Sequence, residues 1–160
     1  MDAARLPRDL PKGGAMGAVN SVAPEDAELR RLLGRARTVA VVGLSSDPGR
    51  PSHGVAGYLQ SHGYRIVPVN PNEREVFGEP AYASLEEIPD DVNIDVVDVF
   101  RRAEKTPDVA RQAVAVGAKV LWLQEGIVNE EAYRIASEAG LDVIMGVCMR
   151  AVRSRLVDEE

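Results

Sequence analysis

The segment Thr38-Val39-Ala40-Val41-Val42-Gly43-Leu44-Ser45-Ser46-Asp47-Pro48-Gly49-Arg50-Pro51-Ser52 joins an apolar run to a loop of small residues and the opening of a helix. Such a loop presents backbone N–H groups that lack intrahelical partners, and small residues let an anion come close to them. The chemistry expected is phosphate binding, by Gly43, Leu44, Ser45, Ser46, Asp47, Arg50 and Ser52. The dinucleotide pattern G-x-G-x-x-G would want glycine at positions 45 and 48, where Ser45 and Pro48 stand. A nucleotide is therefore expected, with nicotinamide not the first choice.

Other candidates lie after the later apolar runs. A dinucleotide enzyme places Asp or Glu at the end of its second strand to hold a ribose diol; here the residues are Asn70-Pro71, with Glu73 a distant substitute. Arg50, Arg65, Arg74, Arg101 and Arg102 offer charge-assisted bonds to several phosphate groups. Two cations at a helix start, Arg101 and Arg102, sit badly with the positive dipole end unless an anion is near. His53 has no nucleophile and orienting acid beside it and reads as a polar residue of a first helical turn, and His62 as a helix C-terminal residue. Cys148 reads as a small packed hydrophobe, Trp122 as cover for a sheet face, and Glu125 as a hydrogen-bond acceptor. Two His and one Cys without clustered spacing give no recognisable metal site.

The elements that must position these residues follow from periodicity. Apolar runs at 39–42, 66–69, 94–100, 120–123 and 143–145 read as strands buried on both faces. Between them lie helices: one opening near Pro24 and ending at Gly34, one over 52–62 stopped by Gly63, one from Thr106 to Gly117 and one from Asn129 to Gly140. Ser84 followed by Glu87 predicts a capping box on a short helix closed by Pro89. The alternation predicts an α/β fold, a Rossmann-like open and mainly parallel sheet of five or six strands with helices on both faces. In such a sheet ligands bind beyond the carboxyl ends of the strands.

The 160 residues make one domain, expected over 25–156, with a flexible extension over 1–24 and an acidic tail over 157–160. A net charge of −6 argues against general affinity for nucleic acid or anionic membranes, and no apolar run is long enough to cross a bilayer. The lone Cys148 excludes an intrachain disulfide, and a cytoplasmic location is expected.

The segments VAVVGLSSDPGRPSHGVAGYL, YRIVPVNP, VVDVFRR, AKVLWLQEGIVNEEA and AGLDVIMGVCM resemble, in order over roughly 25–156, the stand-alone coenzyme A-binding domain family. That family is related to the N-terminal domain of the succinyl-CoA synthetase alpha subunit. The resemblance implies CoA binding, with the adenine near Val69, Asn70 and Pro71 and the pyrophosphate near Leu44 to Asp47. It further implies Arg65 as the cation for the ribose 3′-phosphate, with Arg74 as fallback, and a pantetheine path along Phe100, Leu123, Gln124 and Glu125, beside Arg101. Relatives often read M-D-R-C after the last strand and then an acid-His pair, whereas this chain has Met145-Gly146-Val147-Cys148 and Ala151-Val152-Arg153. The synthetase's phosphorylated His belongs to a second domain without counterpart in these residues, so the resemblance brings no ligase chemistry.

Three function classes stay open on these grounds. The first is a protein that binds free or acylated CoA without chemistry of its own. The others are an NAD(P)-dependent oxidoreductase and a non-catalytic subunit of a CoA ligase or transferase. A homo-oligomer or a partner protein is compatible with each.

Overall fold

The structure is a computed structural model that describes residues 21–158; residues 1–20 of the extension expected over 1–24 and the last two residues of the acidic tail lie outside it. The elements in order are α1 (Asp26–Arg35), β1 (Thr38–Val42), α2 (Pro51–Ser61), β2 (Arg65–Val69), β3 (Glu75–Val76), β4 (Glu79–Pro80), β5 (Val96–Val99), α3 (Thr106–Ala115), β6 (Val120–Glu125), α4 (Glu130–Glu138), β7 (Asp142–Gly146) and α5 (Met149–Arg153). β1, β2, β5, β6 and β7 form one parallel sheet in the order β2-β1-β5-β6-β7. The order reverses between β1 and β5, because the chain runs outward to β2 and then returns across β1. The chain leaves β1 toward α2 on one face and β5 toward α3 on the other, and the parting connections open a crevice at the carboxyl ends.

Each strand buries both faces, which explains why the apolar runs do not alternate with polar residues. On one face Ala40, Val42, Val97, Val99, Leu121 and Leu123 pack against Val109, Ala110 and Ala113 of α3 and Ala132 and Ala136 of α4. On the other, Val39, Val41, Ile66, Trp122 and Ile144 pack against Leu29 and Leu33 of α1, Val55 and Leu59 of α2, and Met149 and Val152 of α5. Small alanines on α3 and α4 let those helices lie close to the large strand residues. Trp122 covers its face as expected and donates its indole N–H to the Val147 carbonyl at 2.8 Å.

The sheet's two edges are partly occupied. Pro68 stands in the edge strand β2, and its carbonyl on the outer side accepts from Tyr82 N, so the donor that proline lacks falls where no strand is paired. At the opposite edge Val22, buried, pairs antiparallel with Met145 through two backbone bonds of 2.9 and 2.8 Å.

Several expected boundaries move. β5 covers 96–99 rather than 94–100, because the Asp95 side chain turns back to accept from the backbone of Arg37 and Thr38. β6 runs to Glu125 and not 123. The Ser84 capping box does not form: Ser84 makes no cap bond, the helix is one 3-10 turn over Leu85–Glu87, and Glu87 accepts from Ala83 N. The β3–β4 hairpin was not expected, since two-residue strands carry no period. Its turn residues Phe77 and Gly78 both have positive φ, 57° and 77°, as a tight primed turn requires.

Candidate functional site

The loop between β1 and α2 begins with a close approach. Gly43 has φ +89°, and a Cβ there would lie 2.5 Å from the Phe100 carbonyl oxygen at the end of β5. Only glycine lets the two strand ends come this near. Leu44 then turns fully into the core, its carbonyl accepting from the Asn70 side-chain amide at 3.0 Å. Asn70 also accepts from Asn72 N at 2.9 Å, so this one side chain ties the ends of β1 and β2 together.

The remaining loop is held by its own polar groups. Ser45 N donates to Ser52 Oγ at 3.0 Å, Asp47 N to Ser45 Oγ at 3.0 Å, and Gly49 N to Asp47 Oδ1 at 2.9 Å. Ser46 N donates at 2.9 Å to Glu73 Oε2, from the turn after β2. Pro51 opens α2 at a position where no N–H is needed. The result is a rigid rim whose helix end carries positive dipole charge.

A cleft of about 690 Å³ opens beside this rim at the crevice between β1 and β5. Of the sequence-derived candidates it is lined by Gly43, Ser45, Arg50, Ser52, Val69, Asn70, Pro71, Phe100 and Arg101. Arg102, another of the expected cations, lines it as well, and Pro51, Asn72, Glu73, Ala83 and Ile127 complete it. Arg50 and Arg101 are exposed, and neither guanidinium has a protein partner among the described residues; Arg102 lies 3.5 Å from Glu104. A half-open pocket with apolar walls at Val69, Phe100 and Ile127 and cations at its mouth suits an amphipathic anion.

The other candidates are not brought to the cleft. Ser46 and Asp47 are exposed and not among the lining residues, although Ser46 N meets the cleft indirectly through Glu73, which lines it, and Arg74 is exposed beyond the lining. Arg65 is the first residue of β2, at the amino end of the sheet, where its N–H bonds Arg37. The strand holds it about 13 Å from Val69 and the cleft, so the 3′-phosphate role expected from the resemblance has no geometry behind it. Leu123, Gln124 and Glu125 still belong to β6: Leu123 packs in the core, Gln124 turns inward to Asp98, and Glu125 faces solvent. The residue from this connection that reaches the cleft is Ile127, an apolar side chain in a turn after Gly126, which the strand-end rule missed only because β6 is longer than its apolar run.

His53 stacks on Phe77 of the hairpin turn with ring centroids 4.4 Å apart, and His62 caps the end of α2 with Nδ1 2.8 Å from the Tyr58 carbonyl. Cys148 is half-buried against the core at the start of α5. Asp98 is the one strongly perturbed acid among the described groups. Burial pushes its carboxyl up to about 7, against the lowering effect of the Gln124 amide that donates to Oδ1, while Oδ2 has no partner. It lies beneath the sheet surface and not among the residues lining the cleft.

Residues 37–153 match the family model of the CoA binding domain. The chain belongs to the CoA-binding domain family. It is 46% identical over 131 residues to the uncharacterized protein YneT of Bacillus subtilis, covering 82% of this chain and 96% of that one. A hypothetical protein from Pyrococcus horikoshii OT3 has a solved structure that superposes with a TM-score of 0.80 at 40% identity, over 83% of this chain and 92% of that one. The alpha subunit of ADP-forming acetate–CoA ligase II from Pyrococcus furiosus is 37% identical over 122 residues, but this CoA-binding domain spans only 27% of it. No helix of the described residues is long and apolar enough to cross a membrane.

Proposed function

We propose that this protein binds coenzyme A, free or acylated, in the cleft at the carboxyl ends of β1, β2 and β5. The observation that carries the reading is the position of that cleft: it sits at the reversal of strand order, with the Gly43–Ser52 loop and its helix end on one side and unpartnered Arg50 and Arg101 at its mouth. The pyrophosphate belongs beside Ser45, Ser52 and Arg50, the adenine against Val69, Asn70 and Pro71, and the pantetheine along Phe100 and Ile127. Arg101 and Arg102 are the cations near enough to serve the 3′-phosphate, in place of Arg65. The family match over 37–153 supports CoA over other nucleotides.

The protein acts by holding and presenting CoA, in the cytoplasm, without a reaction of its own. A role beside a partner chain that completes a CoA ligase is the second reading, and the resemblance to a ligase alpha subunit favours it. Calorimetric titration with CoA, acetyl-CoA, dephospho-CoA, NAD and NADP tests both the ligand and its class. CoA or acetyl-CoA is expected to bind and NAD not to; preferential binding of NAD or NADP would overturn the reading.

A further inference from the structure

The amides of the Gly43–Ser52 loop divide into two kinds. Ser45, Asp47, Gly49 and Arg50 donate to acceptors supplied by the loop itself or by the first turn of α2. These bonds build the rim and are made within one short segment. Two amides bond outside the segment: Gly43 N donates to the Val69 carbonyl of β2 at 2.8 Å, and Ser46 N donates to a side chain from elsewhere, the Glu73 carboxylate reaching across from the turn after β2. Glu73 is half-buried, lines the same cleft, and has no cation paired with it among the described residues.

A carboxylate and a phosphate oxygen are both anionic acceptors that compete for the same backbone N–H donors, here in the loop that leads into the positive end of α2. An acid in this place therefore does two things to an incoming phosphate. It occupies a donor that the phosphate would use, and it repels the phosphate charge across a short distance. The carboxylate is also removable: its own turn, 70–74, is fixed to the sheet by Asn70, and only the side chain has to rotate for Ser46 N to become free.

We propose that Glu73 is a resident anion of the phosphate loop, which holds Ser46 N in the free protein and is displaced when a phosphate group binds. The inference rests on the CoA reading above and adds how that site is regulated: Glu73 keeps affinity low and ligand exchange fast, and binding is reported to the β2–β3 turn by release of its side chain.

The experiment titrates the full chain, Glu73→Gln and Glu73→Ala with CoA by calorimetry, and follows the Ser46 backbone amide by nitrogen-15 NMR. Both variants are expected to bind about three- to tenfold more tightly, the gain from losing a competing charged hydrogen bond at a partly exposed site. The Ser46 resonance should differ between the free parent and the free variants, and should move in all three on adding CoA. Equal or weaker binding by both variants overturns the proposal, weaker binding making Glu73 a group that holds the ligand. If none of the three binds CoA, the CoA reading falls, and inorganic pyrophosphate decides the remaining question. Tighter pyrophosphate binding by the variants, with movement of Ser46, upholds displacement; no difference or no binding overturns it.

Discussion

Gly43 is subject to two constraints that would usually be separate. Its φ of +89° disfavours any side chain, and the Phe100 carbonyl stands where a Cβ would be placed. Gly43→Ala must both adopt the unfavourable backbone and push the ends of β1 and β5 apart. We expect it to cost about 2–4 kcal/mol of stability and to weaken CoA binding, measured by denaturant unfolding and calorimetry. A variant as stable as the parent would show that the two strand ends can part freely.

Asp98 poses a different problem, since its carboxyl is fully buried with one oxygen unpartnered. Its folded-state value, about 7, lies above the ordinary 3.8, so between these limits the folded protein holds a proton that the unfolded chain has released. The stability linked to this group is fully present below 3.8 and is lost as pH rises through 7. Asp98→Asn keeps the site neutral and the acceptor for Gln124. The parent is expected to lose about 2–4 kcal/mol between about pH 5 and about pH 8 relative to the variant. Asp95 does not confuse the comparison. Burial raises its value, but the Thr38 and Arg37 amides and Lys119 outweigh that and leave it lowered, so its contribution is lost only on acidification. Parallel pH profiles for parent and variant would remove Asp98 as a titrating core group.

At the level of elements, what the sequence made legible was periodicity, and what it hid was length and direction. The five buried strands and four longer helices are written in apolar runs bounded by Gly, Pro and capping residues, so the sheet and its cleft were readable. Where a strand stops is less well encoded. β6 continues through Gln124 and Glu125 because Gln124 finds Asp98 as a buried partner, an interaction that links residues far apart in sequence. That moved the residue of this connection that lines the cleft from the expected Leu123 to Ile127. Arg65 was misplaced for a simpler reason: a cation just before an apolar run stands at the amino end of a parallel strand, opposite the ligand side. The contrast is measurable. Arg101→Ala is expected to weaken CoA binding by about tenfold, as loss of one charged hydrogen bond, while Arg65→Ala leaves it unchanged. An effect confined to Arg65→Ala would restore the expectation drawn from the resemblance and contradict the cleft described here.

For the whole molecule, the extent of the folding unit is the quantity to test. We propose that the compact domain covers the family-matched residues together with the short segment before α1 that carries Val22. A chain starting at Glu25 lacks a buried valine and two backbone bonds to Met145 that a chain starting at Ser21 retains. The shorter chain is expected to be less stable by about 1–3 kcal/mol, seen as a lower thermal midpoint. Equal midpoints would put the start of the unit at residue 25.

The Val22–Met145 pairing also bears on the time at which the sheet is completed. Once β1 and β2 have been made, every later strand of the five-stranded sheet adds to the same growing side, first β5, then β6, then β7. Val22 leaves the ribosome before any of them and has nothing to pair with until the last strand has emerged. A nascent chain halted before residue 142 therefore presents an open apolar border to its neighbours, the kind of surface that recruits chaperones or other unfinished chains. Arrival of β7 lets the early segment cover that border, so completed translation and loss of stickiness coincide.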